Sequence, residues 1–145
     1  MIFTGLQRDT TGAVLVEFAV VSMTLMVLVF GMAEYGLLIS ERLALQQAAR
    51  EGARSAAIGE TTSTVTTKVL NSAPSVPITS SNVTLEKQTG SGGWGSLGNT
   101  TDGTQNNAAF GDYVRVTVRF NHSWVTKLFS TSPTVDTAQM VSRRE

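Results

Sequence analysis

The chain has a long apolar run near its N-terminus, and apolar and polar residues are mixed in the part that follows. Within residues 13–33 the only polar side chains are Glu17, Ser22 and Thr24. A helix needs roughly 20 predominantly apolar residues to cross the hydrocarbon of a bilayer, so this run predicts a membrane-embedded helix. Residues 13–58 contain no proline and are rich in good helix formers. The same helix is therefore expected to continue out of the membrane.

After residue 58 the pattern changes to short elements separated by turns. Tyr113–Phe120 alternates strictly, with Val114, Val116 and Val118 on one face, which predicts a half-buried strand. Shorter signals predict the other elements: a helix cap at Gly59, a second helix in Glu60–Ser72, strands at Val83–Lys87 and Val135–Val141, and a loop over Gly90–Asn107. The expected fold class is α+β, with a long N-terminal pilin-like transmembrane helix followed by a small antiparallel sheet domain.

Small residues recur every four positions in the second half of the long helix. Small side chains at that spacing let another element approach the helix closely. Two partners are compatible with the pattern: the helix of another subunit, or the C-terminal domain of the same chain. The stripe comprises Gly36, Ser40, Ala44, Ala48, Gly52 and Ala56.

Composition narrows the classes of function. The chain has 11 basic and 11 acidic residues, so it lacks the excess of positive charge that a nucleic-acid-binding face requires. It has no cysteine, which excludes disulfides, zinc–thiolate sites and thiol nucleophiles. No cofactor and no metal are expected. About 85 residues follow the helix, which is enough for a small hydrophobic core.

A carboxylate inside the apolar run is the most informative single feature. Glu17 would cost about 2.5 kcal/mol or more at the centre of a membrane helix, so its retention indicates a use. It is preceded by Gly12, four apolar residues beginning at Ala13, and followed by Phe18. This order of residues resembles the processing site of type IV-like prepilins. The resemblance implies cleavage between Gly12 and Ala13 by a prepilin peptidase.

The resemblance extends further along the chain. The stretches GAVLVEFAVV and GMAEYGLLISERLALQQAAREGARSAA resemble TadE-like proteins, the minor pseudopilins of the tight-adherence (Flp) pilus, and Asp136–Glu145 resembles the end of that family. Three segments are then expected: a leader over 1–12, a long helix over 13–58 with 13–33 in the membrane, and an extracytoplasmic α+β domain over 59–145.

The function implied by this resemblance is non-enzymatic. It is that of a membrane-anchored component of Flp pilus assembly, in a cell-adhesion system. Its partners would be a prepilin peptidase, other pilins and pseudopilins, the pilus assembly machinery and the membrane, with no nucleic acid. It would sit as a single-pass protein in the bacterial inner membrane, or in the pilus. Glu17 would pair with an N-terminal amine, its own or a neighbour's.

Several alternatives remain open from the sequence. Glu17 could instead reach back to the lipid headgroups, and Glu34, beside Tyr35, favours an interfacial position over a subunit contact. Charge does not orient the helix: the leader has only Arg8, offset by Asp9, and more basic residues follow the apolar run. The alternative function is a single-pass extracytoplasmic protein that binds a ligand or an envelope partner.

Two further motifs carry weak functional signals. His122 and Ser123, with Asp112 or Asp136, have the residue types of a hydrolase triad, but no nucleophile elbow surrounds them. The segment Gly90–Gly98 is glycine-rich but lacks the pattern of a phosphate-binding loop, so a surface loop is expected. Trp94 within it could contact a partner or fold back onto the sheet.

Overall fold

The computed structural model describes residues 10–127 and 131–145. Its longest element is helix α1, Thr10–Ala57, which is 48 residues long. Most of the expected leader lies outside the described residues; its last part, from Thr10 to Gly12, belongs to α1. The first half of α1 has a mean hydropathy of 2.5 over its most apolar window, and none of that window is buried against the protein. By length and composition, this helix could cross a membrane.

Helix α1 ends where the sequence places a glycine. Gly59 has a φ of +92°, a left-handed conformation in which glycine avoids the steric cost of a side chain. The Gly59 amide donates to the Ala56 carbonyl at 3.1 Å, and the Glu60 amide donates to the Ser55 carbonyl at 3.3 Å. These two bonds form a Schellman cap, which satisfies carbonyls that the helix leaves open. The chain then reverses direction into α2.

Helix α2, Thr62–Asn71, begins at the Thr61 side chain, which accepts a hydrogen bond from the Thr64 amide. The sequence predicted a short helix here despite the β-branched residues, and that prediction is confirmed. Its buried side chains are Val65 and Val69, four residues apart on one face. That spacing lets α2 pack along α1.

Four strands form one antiparallel sheet. They are β1 (Val83–Gln88), β2 (Gly95–Ser96), β3 (Tyr113–His122) and β4 (Thr134–Arg143), in the spatial order β2-β1-β3-β4. This layout confirms the predicted α+β fold. One detail of the prediction was wrong: the glycine-rich segment expected to be loop throughout contains β2. Strand β2 pairs with Glu86 and Lys87 at the edge of β1. Its residues, Gly95 and Ser96, are small.

The core lies between the sheet and the second half of α1. Val114, Val116 and Val118 of β3 are fully buried against it. A Cβ atom on Gly52 would overlap a methyl group of Val69 and lie 3.1 Å from Cγ1 of Val116. The helix must therefore be narrow at this point for α2 and β3 to approach it.

Candidate functional site

The candidate processing motif (Gly12, Ala13, Glu17 and Phe18) lies on the exposed first half of α1. Gly12 and Ala13 are both inside the helix, and no other part of the described chain lies within 4 Å of a Cβ built on Gly12. Glu17 and Phe18 are exposed. Over residues 10–127 and 131–145, Glu17 has neither a hydrogen-bond nor an ion-pair partner. The motif is therefore presented on a bare apolar helix, where its carboxylate is accessible only to groups outside the described chain.

The small-residue stripe is divided between two environments. Ala48, Gly52 and Ala56 are buried against the sheet and α2 of the same chain, and Ala44 is half-buried. Gly36 and Ser40 are exposed. From Ala44 onward the stripe therefore packs on its own domain, which was one of the two alternatives. Only its first two residues remain open to another partner.

Glu34 is the centre of a polar cluster that joins the helix to the loop between β3 and β4. Its side chain is only 2% exposed. One carboxylate oxygen accepts a hydrogen bond from the Val125 amide at 2.5 Å. The other accepts from the amide and the hydroxyl of Thr126, both at 3.1 Å. The Glu34 carboxylate therefore faces its own chain, because the loop supplies three donors. The interfacial position expected for this residue concerns its height along the helix and stays a prediction.

His122 extends the cluster along the helix. Its Nδ1 atom lies 2.7 Å from an oxygen of Glu41, and its Nε2 atom lies 3.9 Å from an oxygen of Glu34. Trp124 meets the His122 ring edge-to-face at 5.3 Å and the Tyr35 ring at 5.9 Å. The end of β3 is thus held to α1 by a buried imidazole between two carboxylates and by an aromatic pair.

The residues of the suspected hydrolase triad are not brought together. His122 faces Glu41 of α1 instead of an aspartate. Asp136 accepts a hydrogen bond from the Arg42 guanidinium at 2.8 Å. Asp112 lies beyond the opposite end of β3, where it accepts a hydrogen bond from the Thr89 hydroxyl at 3.0 Å. Each of these polar groups ties one element to another. Neither Glu41 nor Arg42 stood out in the sequence, since charged residues on an exposed helix are common.

The far end of the domain is attached to the end of α1. The Asn106 amide group donates to the carbonyls of Ala56 and Glu60, at 2.8 and 2.9 Å. The Arg144 guanidinium donates to the Ala57 carbonyl at 3.0 Å. Together with the Glu34 cluster, these bonds attach the domain along about 35 Å of helix, at about 1.5 Å per residue.

Glu60 stabilises the junction between the two helices. It accepts hydrogen bonds from the Lys68 ammonium group, at 2.7 Å, and from the Ser55 hydroxyl. These two bonds, the one from Lys68 first, lower the pKa of Glu60 below its ordinary value. The carboxylate is therefore ionised near neutral pH and links Lys68, in the last turn of α2, to Ser55 of α1.

Trp94 folds back onto the outer face of the sheet. The Arg115 guanidinium lies 4.0 Å from the centre of the Trp94 ring, and it also pairs with Glu86 at 2.7 Å. Trp94 is therefore a cation–π partner of β3, one of the two alternatives for this residue. Within the described ranges, no group of three or more His, Asp or Glu side chains is placed to hold a metal ion.

Comparison with known proteins found a similarity for the N-terminal part of the chain. Searches of curated proteins and of solved structures found no match. A family model described as TadE-like protein matches residues 12–54, which lie within α1 and include the processing motif and the Glu34 position. The exposed apolar helix and this match fit a membrane-anchored protein related to the Tad pilus. Over this segment, the chain is similar to TadE-like proteins.

Proposed function

We propose that this protein is a pseudopilin of the Flp (tight-adherence) pilus, processed by a prepilin peptidase at the Gly12–Ala13 bond. The observation that carries the proposal is Glu17, an unpartnered carboxylate on a bare apolar helix one turn after Ala13. The match to the TadE-like family covers this segment. The C-terminal domain would face away from the cytoplasm, on the outer side of the inner membrane.

Cleavage would create the partner that Glu17 lacks. A new N-terminal amine at Ala13 would be a cationic group when it lies beside a carboxylate, because an opposite charge nearby favours the charged form of both groups. Glu17 follows it by four residues, about 6 Å along the helix axis. An isolated carboxylate is costly in hydrocarbon, and a nearby ammonium group offsets that cost. Pairing with the amine of a neighbouring subunit would set the axial register of the two helices.

The open face of α1 beyond the membrane gives a route to other subunits. Gly36 and Ser40 are exposed there, and Ile39 and Leu43 on the same face are exposed apolar residues. Positions 36, 39, 40 and 43 follow helical spacing, so they form one continuous stripe. Pilins or pseudopilins of the assembly are the proposed partners of this stripe.

A non-enzymatic role fits the use of the polar side chains. Glu34, Glu41 and His122 hold the β3–β4 loop on α1, and Arg42 and Asp136 hold β4 on the same helix. The groups with the chemistry of a hydrolase are thus engaged in attaching the domain. The protein would act through its position and contacts, as the substrate of a peptidase and a component of an assembly.

N-terminal sequencing of the mature protein tests the proposal. Ala13 as the first residue is the expected result. Met1 at the mature N-terminus would contradict processing and leave the alternative, an anchored protein that binds a ligand or an envelope partner. Comparing sheared pilus fractions with membranes then distinguishes a filament subunit from a protein that primes assembly from the membrane.

A further inference from the structure

The β3–β4 loop lies at the height where α1 leaves its apolar run. That run ends at residue 33, and Glu34 follows immediately. Glu34 contacts the amides of Val125 and Thr126 directly, at 2.5 and 3.1 Å. Direct contacts of this kind fix the height of the loop along the helix to within about one turn, or about 5.4 Å. A bilayer that covers residues 13–33 therefore has its surface at this loop.

The side chains of this loop suit the boundary between lipid and water. Trp124 packs against Tyr35, and tryptophan and tyrosine are enriched at the headgroup level of membranes. Val125 is 72% exposed although it is apolar, and Lys127 is exposed beside it. A lysine at this level can direct its ammonium group to lipid phosphates while its aliphatic stem stays near the acyl chains.

The first residues of β4 add to the same end of the sheet. Val135 is exposed and pairs across the strands with Asn121, next to His122. The exposed apolar side chains Tyr35, Val125 and Val135 thus lie where the domain meets the end of the membrane helix. This surface adjoins the exposed apolar first half of α1, which is long and apolar enough to cross a membrane.

We propose that the segment Ser123–Lys127 is a second membrane contact, which rests on the headgroup region of the bilayer that α1 crosses. The occupant of this surface is lipid. The inference rests on the membrane anchoring of the proposed function, but not on processing or pilus assembly. A single spanning helix can rotate and tilt freely, whereas a helix with a second contact to one side holds its domain in a fixed orientation. The stripe of Gly36, Ile39, Ser40 and Leu43 would then face other subunits in a constant direction.

The two tryptophans of the chain permit a direct test. Trp124 lies in the loop, and Trp94 lies over Arg115 near the opposite end of β3. Arg115 and His122 are seven residues apart on that strand, or about 23 Å at about 3.3 Å per residue. The variant Trp94→Phe therefore leaves one tryptophan at the proposed membrane contact. The variant Trp124→Phe leaves one well away from it and serves as the matched control.

The measurement uses the full chain in vesicles of phosphatidylcholine and phosphatidylglycerol, with bromine atoms on the acyl chains near the headgroups. Residues at an interface lie within about 5–10 Å of the acyl boundary, within reach of such quenchers. Trp124 fluorescence is expected to be quenched at least about twofold more strongly than Trp94 fluorescence. Adding Val125→Asp to the Trp94→Phe background should reduce the quenching, whereas Val141→Asp, an exposed valine on β4, should not.

Equal quenching of the two tryptophans, in a protein that resists extraction from the vesicles, would overturn the membrane contact and leave the anchoring helix unaffected. An unquenched Trp124 at every protein-to-lipid ratio would mean that protein, such as a second copy, covers the loop. Release of the protein from the vesicles would contradict both the contact and the anchoring. Processing at Ala13 is read independently by N-terminal sequencing.

Discussion

Glu34 accepts a hydrogen bond from the Val125 amide across 91 residues of sequence. The carboxylate at the end of the apolar run is therefore the acceptor that holds the far end of β3 and the following loop on α1. The buried His122 and the partly exposed Glu41 lie next to it, so several side chains of α1 together set the position of the loop.

The first prediction concerns Glu34. Glu34→Gln keeps the size of the side chain but replaces one acceptor oxygen with an NH2 group facing donors. Hydrogen bonds to charged groups contribute about 1.5–3 kcal/mol, so the loop should lose stability of that order. Faster amide hydrogen exchange at Val125 and Thr126, in the full chain in detergent, would report it. Glu51→Gln is the control, because Glu51 makes only a 3.9 Å surface pair with Arg54. Unchanged exchange in both variants would contradict the role of Glu34.

The second prediction separates the two parts of the small-residue stripe. Gly52→Ala places a methyl group against Val69 and Val116, and overpacking typically costs about 1–3 kcal/mol. The melting temperature should therefore fall. Gly36→Ala meets nothing within 4 Å and should leave the melting temperature unchanged or raise it, since alanine favours a helix by about 0.5–1 kcal/mol. Equal melting temperatures would be incompatible with the packing described at Gly52.

The third prediction concerns processing. A peptidase needs close access to an extended backbone at the bond it cuts, and Gly12 lies in a helix that must open there. Gly12→Leu adds bulk and stabilises the helix, so an unprocessed precursor should accumulate in the membrane. The size of the protein on a gel and its N-terminal sequence provide the measurement. Trimming at the wild-type rate would show that the site is elsewhere.

The fourth prediction concerns assembly. Glu17→Val removes a charge from the apolar run, so the variant should insert into the membrane at least as well as the wild type. It should nevertheless lose pili, because the proposed partner of the N-terminal amine is gone. Membrane fractionation and electron microscopy of cells measure the two effects separately. Normal piliation with normal insertion would leave Glu17 with an interfacial role only.

The fifth prediction concerns pH. The pKa of Glu60 is lowered in the folded protein by Lys68 and Ser55. The resulting stability is present above the unfolded pKa of about 4.3, and it is lost as the pH falls through the lower, folded pKa. Because Glu60 and Lys68 are both partly exposed, the contribution should stay below about 1 kcal/mol. Thermal unfolding of Glu60→Gln should show a smaller loss of stability at acid pH than the wild type. Parallel curves would exclude this carboxylate as a source of the pH dependence.

The helices, most of the strands and the apolar segment of α1 can all be located in the sequence alone. The length of the apolar run, the helix propensity and the spacing of apolar residues are local properties, so α1, α2, β1, β3 and β4 could be located from them. Glycine at position 59 was readable as a helix cap because its conformational freedom is local as well. The residues that resemble a prepilin processing site are contiguous in the chain, and they lie within residues 12–54, which the TadE-like family model matches.

Which surface of α1 faces which partner depends on the packing of the whole domain. The stripe from Gly36 to Ala56 is uniform in sequence, yet its second part packs on the chain's own sheet, because β3 and α2 cover that part of α1. Likewise, the contact between Glu34 and Val125 forms between residues far apart in the chain. Hydrogen bonds of this kind depend on strand order and register, which no local pattern encodes. The sequence thus determines that α1 forms and that Glu34 follows its apolar run. Folding determines that the Glu34 carboxylate binds the loop between β3 and β4.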